Sequence, residues 1–324
     1  MATLSLFTSG SKRPRSGEDV RPANMDPQRI AAIEVGGSKC LAAIGHRATF
    51  RESYLRIPTG DPEETIGQLL ASLRQGYAEQ PFTAIGVASF GPLGINLEAQ
   101  DYGIIGTTPK SLWQGLDYLD ALAEFGVPIA VDSDVNAAGM AEVVEGAARG
   151  CRRAVYITIG TGIGGGVIID GRASNGLSHP ELGHMRVAID PDDPLPQGCC
   201  PFHGNCVEGL ASGPAIQERW GADLSSLSES HPGHALVAHY IAQLCMNLAL
   251  TLVPDALILG GGVMQTPGLH SAVCRAFGKS MAGYLPLWQD EAGVERLIRR
   301  PQLAPVSGLI GAGLLAAGLS TTQP

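Results

Sequence analysis

The stretch AVYITIGTGIGGGVIIDG, residues 154–171, decides the fold. It contains Gly160-x-Gly162-x-x-Gly165, formally the dinucleotide-binding fingerprint. A Rossmann glycine loop must open a helix, because the pyrophosphate sits on that helix's N-terminus. Here Val167, Ile168 and Ile169 continue as a second strand, so the local plan is strand, glycine turn, strand. No GxxxxGK[ST] phosphate loop occurs in the chain. The plan recurs in AAIEVGGSKCLAAIG, residues 31–45, about 125 residues earlier. Either hairpin alone is unremarkable; two, each near the start of a domain-sized segment, suggest a duplicated α/β unit. Main-chain N–H groups in such turns can line up on phosphate oxygens, because glycine has no Cβ to hold a ligand away.

Composition narrows the class. The chain has 324 residues, enough for two domains, with 44% hydrophobic residues, 16% charged residues and 43 glycines. That profile fits a globular α/β protein with many tight turns. A formal net charge of -9 argues against a nucleic-acid partner, which a basic face would normally hold. No membrane partner is expected. The apolar run 306–319 is too short to span and is dotted with glycine. In residues 234–253, His239, Gln243 and Asn247 form a polar stripe, which predicts an amphipathic helix. Residues 1–28, with their KRPR and Met25 as an alternative start, lack a signal-peptide core and read as a disordered tail. Seven cysteines without scaffold spacing point to a reduced cytoplasm. Cys40, Cys151, Cys245 and Cys274 lie in apolar or helical settings and read as small buried hydrophobes.

One segment breaks this apolar pattern. HPELGHMRVAIDPDDPLPQGCCPFHGNCVEG, residues 179–209, packs Cys200, His203 and Cys206 at two-residue gaps. Thiolate and imidazole groups so spaced can wrap one tetrahedral ion, and zinc suits mixed sulfur and nitrogen donors. His184 is the nearest candidate for a fourth ligand, with His179 as its substitute. Even spacing around His203 favours Cys200 over Cys199, without deciding between them.

GVPIAVDSDVNAAGMAEVVEGAARG, residues 126–150, is predicted as a strand over 127–131 running into a helix that ends near Gly150. Asp134 falls at the junction, where open α/β sheets bind ligands. Asp132 is an equally good cap or strand-end residue, and spacing alone does not choose between them.

Together these elements resemble the ROK family of sugar kinases and sugar-responsive repressors, and most of all its bacterial zinc-containing fructokinase branch. EVGGSK, GVASFGP, TTPKSLW, DSDVNAA, GTGIGGG, HPELGH, CPFHGNCVEGLASGPA and LILGGGV occur in order across roughly residues 29–320. The resemblance implies an α/β, actin-like ATPase fold, with two ribonuclease-H-like domains flanking a cleft. The first would comprise residues 29–132 plus the C-terminal helix, about 305–324. The second would comprise 133–304, with the zinc loop at 184–206. By position, Asp134 matches the family's catalytic base, and Asp132 becomes structural. Gly36, Gly37 and Lys39 match a first phosphate turn, and Gly160, Thr161 and Gly162 a second. Gly260, Gly261 and Gly262 match the nucleotide-proximal turn. Glu34 stands where many relatives have Asp, near magnesium and phosphate. Glu181, His184 and Glu208 match the sugar-binding residues. His184 would then hold the structural zinc, with Cys200, His203 and Cys206, through one ring nitrogen and face the sugar with the other.

Two departures from the family's glucokinases matter. The metal pattern is C-x2-H-x2-C rather than C-x-C-x4-C, and Ser133 replaces an Asn that contacts the sugar. Both favour fructose over glucose. The implied activity is ATP- and Mg2+-dependent conversion of D-fructose to fructose 6-phosphate, in a cytoplasmic homodimer. Phosphorylation of glucose, mannose or an N-acetylhexosamine is the alternative. A sugar-responsive repressor would need a helix-turn-helix module, and about 28 low-complexity residues before Ile30 are too few for one.

Overall fold

The structure, a computed structural model, describes residues 29–320; the predicted tail, with KRPR and Met25, lies outside them, as do residues 321–324. The strands are β1 (Ile30–Val35), β2 (Lys39–Gly45), β3 (Leu55–Pro58), β4 (Ile85–Ser89) and β5 (Ile129–Ser133), then β6 (Arg153–Ile159), β7 (Ile163–Ile169), β8 (Arg172–Ala173), β9 (Ala256–Gly260) and β10 (Ile298–Arg299). They form two five-stranded sheets, ordered β3-β2-β1-β4-β5 and β10-β9-β6-β7-β8. In each sheet the first three strands make an antiparallel meander, and the fourth and fifth join parallel to the first. The second sheet therefore repeats the first, as the two glycine hairpins predict.

The main helices are α1 (Pro62–Glu79), α2 (Tyr118–Leu122), α3 (Asp134–Glu145), α4 (Val207–Ala211), α5 (Gly213–Trp220), α6 (Pro232–Leu252), α7 (Leu269–Met281), α8 (Glu291–Leu297) and α9 (Ser307–Ser320). Large side chains cover the outer faces of the sheets. Val155, Ile157 and Ile159 of β6 join the core shared with Val237, Ile241 and Leu244 of α6 and Val273 and Phe277 of α7. The inner faces carry small residues instead: Ala32 and Ala88 of the first sheet pack with Ala137, Ala141, Ala312 and Ala316. Against these, α9 lies on the first sheet, α3 lies on β6 and β7 of the second, and the two helices pack on each other. Such closeness needs missing side chains. A Cβ on Gly86 would collide with the Ala312 carbonyl, and one on Gly311 with the Ala137 carbonyl.

The chain crosses between the sheets at the β5–α3 junction and again between β10 and α9. Glu142, fully buried on α3, holds the second crossing. Its Oε1 accepts hydrogen bonds from the Leu303 amide and the Ser307 hydroxyl, both at 2.9 Å. Its Oε2 accepts from the amides of Ala147 (2.7 Å) and Gln302 (3.1 Å).

Several boundaries differ from expectation. The strand before Asp134 covers 129–133 rather than 127–131, and α3 ends at Glu145, short of Gly150. Among the described residues, α6 is the one helix long and apolar enough to cross a membrane, but more than half of that apolar window is buried within the protein. Two members of its predicted polar stripe, His239 and Gln243, are engaged. Gln243 is buried, accepting from the Ala188 amide, donating to the Ala188 carbonyl and contacting His239 Nε2. The helix is mostly buried, with Gln243 of its polar stripe satisfied by a passing loop and positions such as Ala235 and Leu250 exposed.

Removing a buried carboxylate strands every donor it served. Glu142→Ala should therefore cost at least about 3 kcal/mol of stability, and Ser307→Ala, which removes one donor, about 1 kcal/mol. Thermal denaturation of the two variants checks the ranking.

Candidate active site

Parallel registers bring the functional residues to one edge of each sheet. Val35, Ser89 and Ser133 are partners at the ends of β1, β4 and β5, so Gly36, Phe90 and Asp134 leave the first sheet together. In the second sheet Thr158 pairs with Gly260, bringing the 160–162 turn beside Gly261 and Gly262. A Cβ on Gly160 would sit 3.8 Å from the Gly262 nitrogen. Gly261 has φ +93°, and a Cβ there would meet the main chain of Ile159, so glycine is required. The first two turns face each other directly: the Ser38 and Thr161 hydroxyls lie 3.2 Å apart. The Lys39 ammonium donates to the Pro305 carbonyl at 3.0 Å, tying the first turn to the segment before α9.

Asp134 opens α3 and is half-buried. One carboxylate oxygen accepts from the Val135 amide at 2.8 Å. Burial pushes its carboxyl up to about 6, with Glu181 adding to the rise and the Val135 amide and His179 opposing it. Asp132 is occupied elsewhere. Its Oδ1 accepts from the Ser133 amide and Asn136 Nδ2, each at 2.7 Å, and burial raises its carboxyl despite those bonds. Ser133 caps α3, accepting from the Asn136 amide at 3.2 Å, so this buried hydroxyl is committed to the helix.

Glu34 is perturbed as well. Burial pushes it up to about 7, against the pull of Lys39 and with Asp134 adding to the rise. Its Oε2 is buried without a hydrogen-bond partner. Gly308 lets the carboxyl approach the start of α9, since a Cβ there would lie 2.7 Å from the Glu34 carboxyl carbon.

The predicted metal ligands come together. Donor atoms of His184, Cys200, His203 and Cys206 all lie within 4.8 Å of one another. His184 Nδ1 is 3.2 Å from His203 Nδ1, 3.7 Å from Cys200 Sγ and 3.5 Å from Cys206 Sγ. Tetrahedral zinc with ordinary bond lengths would set nitrogen–nitrogen and nitrogen–sulfur separations of about 3.4 and 3.6 Å. The donor set fits. Cys199 lies outside it, as does His179. His184 Nε2 faces away from the cluster, 3.9 Å from Glu181 Oε2. Glu181 is exposed at the cleft, whereas half-buried Glu208 accepts from the Ile163 amide at 2.9 Å, just after the second turn. A cavity of about 720 Å3, lined by Trp220, Leu236 and His239, shares no residue with this cluster.

Sequence reasoning missed Glu142, Ser38 and the environment of His179. Residue type gave no signal for them, since each acts through a partner distant in the chain.

Two such sheets, with glycine turns facing across a cleft, define an actin-like ATPase fold. The chain belongs to the ROK family, whose family model matches residues 30–318. It is 40% identical over 288 residues to a putative fructokinase of Bacillus subtilis (strain 168), covering 89% of this chain and 95% of that one. It is 38% identical over 297 residues to a fructokinase of Zymomonas mobilis, covering 90% and 97%. Its backbone is similar to the crystal structure of a ROK hexokinase from Thermus thermophilus, with TM-score 0.69, 25% identity and coverage of 91% and 100%.

The Asp134 and Glu34 carboxyls bind protons more tightly folded than unfolded. Stability is therefore lost as pH rises from about 4, the unfolded value, through about 6 and 7. Asp134→Asn removes part of that cost. It should melt higher than wild type at pH 8, with the gap closing towards pH 4; calorimetry across that range checks it.

Proposed function

We propose that the protein is an ATP-dependent hexose kinase converting D-fructose to fructose 6-phosphate, with Asp134 as general base. The observation carrying this reading is the position of Asp134. It is half-buried at the end of β5, electrostatically close to Glu181 and Glu34, on the edge from which the first glycine turn also leaves. The family and the two fructokinase relatives favour fructose.

In this reading Gly36, Gly37 and Lys39 face Gly160, Thr161 and Gly162 around the ATP phosphates, with Gly260, Gly261 and Gly262 nearer the nucleoside. Amides of these turns other than those of Gly36 and Gly160, which donate to the Lys39 and Gly162 carbonyls, offset phosphate charge together with the Lys39 ammonium. Glu181, His184 and Glu208 hold the sugar. Asp134 takes the proton of the primary hydroxyl as that oxygen bonds to the γ-phosphorus. The bond to the β–γ bridging oxygen breaks, and ADP leaves with its electron pair. Glu34, with an unpaired buried oxygen, suits a nearby Mg2+, which would neutralise phosphate charge. His184, Cys200, His203 and Cys206 would hold zinc, which fixes the imidazole whose Nε2 faces Glu181. The two halves would divide at 132/133, with α9 returning to the first. All seven cysteines are free, which suits a reducing cytoplasm. Association as a homodimer completes the proposal.

Purified protein offered fructose, glucose, mannose and N-acetylmannosamine with MgATP should prefer fructose. Asp134→Asn should retain ATP binding but lose at least ~100-fold in turnover, and near-normal turnover would refute the base assignment. Cys206→Ser should lose both zinc and sugar affinity, read by metal analysis and calorimetric titration.

A further inference from the structure

His179 fell outside the metal cluster, and its actual surroundings suggest another role. Its imidazole is buried, 8% exposed, although it belongs to a loop of the second half and reaches the first. Nε2 accepts a hydrogen bond from the Leu93 amide at 3.3 Å. Gly91 permits this approach, since a Cβ there would lie 3.0 Å from Nε2. A nitrogen that accepts from an amide carries no proton, so in the neutral ring the proton is on Nδ1. Nδ1 faces Glu181 Oε1 at 3.5 Å, while Glu181 Oε2 faces His184 Nε2 at 3.9 Å. The Glu181 carboxylate is thus set between two imidazoles. One belongs to the four-residue cluster that would hold zinc, and the other is held by main chain of the opposite half.

We propose that His179 is a positioning residue: as the Nδ1–H tautomer it braces Glu181 against the Gly91–Leu93 turn, so that the sugar-side carboxylate keeps its place. This rests on Glu181 holding the sugar. A long carboxylate on an exposed loop otherwise samples several rotamers, and fixing it removes that entropy cost from sugar binding. His179 also helps hold the Asp134 carboxyl down, so its loss shifts turnover as well as the fructose KM, and the ATP KM serves as the control.

Steady-state kinetics of the full chain with fructose and MgATP test this, using His179→Ala, His179→Asn and His179→Gln. His179→Ala should raise the fructose KM roughly threefold to tenfold, since the 3.5 Å contact is longer than a full hydrogen bond to a charged group. The ATP KM and zinc content should be unchanged. The Asn amide N–H lies near the position of Nδ1, whereas Gln restores only the acceptor for Leu93. Asn should therefore recover more sugar affinity than Gln, and that comparison stands if the Ala variant fails to fold. An unchanged fructose KM in His179→Ala, an equal rise in the ATP KM, or better rescue by Gln overturns the proposal. So does an Nε2–H tautomer in the imidazole nitrogen spectrum of wild type. Wild type inactive on every hexose would overturn the kinase reading, while the spectrum would still decide the tether.

Discussion

One buried carboxylate, Glu142, organises the centre of the molecule. With four donors converging on it, α3 is bound to the segment through which the chain returns from the second sheet to α9. That segment also supplies the carbonyl that receives Lys39 and leads into the helix start beside Glu34. The carboxylate therefore links the interior packing of two helices to the charged groups of the first glycine turn. A buried charge is tolerable when every lone pair is used, and this one spends its desolvation on ordering a crossing that apolar packing alone would leave free to slide.

The cleft follows the opposite policy. Burial raises both Glu34 and Asp134; Asp134 adds to the rise of Glu34, and Glu181 to that of Asp134. Glu34 also keeps an unpartnered oxygen. Side chains in a purely structural interior are satisfied, so an arrangement that stores unpaired negative charge beside amide-lined turns points to a cationic or proton-accepting task. The stiffness that holds these acids together comes from the alanine- and glycine-lined layer between the sheets.

Much of this was legible in the sequence. The glycine turns flanked by strand on both sides ruled out a Rossmann unit, and their repetition predicted the duplicated sheet. The spacing of Cys200, His203 and Cys206 announced a common centre, and even His184 could be named from its distance along the chain. The choice between Asp132 and Asp134 was different: spacing left it open and the family resemblance made it, while the bond from Asn136 to Asp132 is a contact made only after folding. Ser133 read as a shortened sugar contact, yet its hydroxyl caps α3. The polar stripe of α6 was legible as an amphipathic pattern, but periodicity reports side-chain type and not that main chain at Ala188 would cover Gln243. Glu142, in a helix of small residues, carried no mark distinguishing a clamp from a solvated charge.

The duplication leaves an asymmetry. In the first sheet β3 is followed by one helix before β4, whereas in the second the chain runs from Ala173 to Ala256 before β9, and the whole cysteine–histidine loop lies in that excursion. The strand-end turns are thus separate from the segment that bears the groups proposed to meet the sugar. Evolution could remodel that excursion, and with it the choice of acceptor, while inheriting the phosphate grip unaltered.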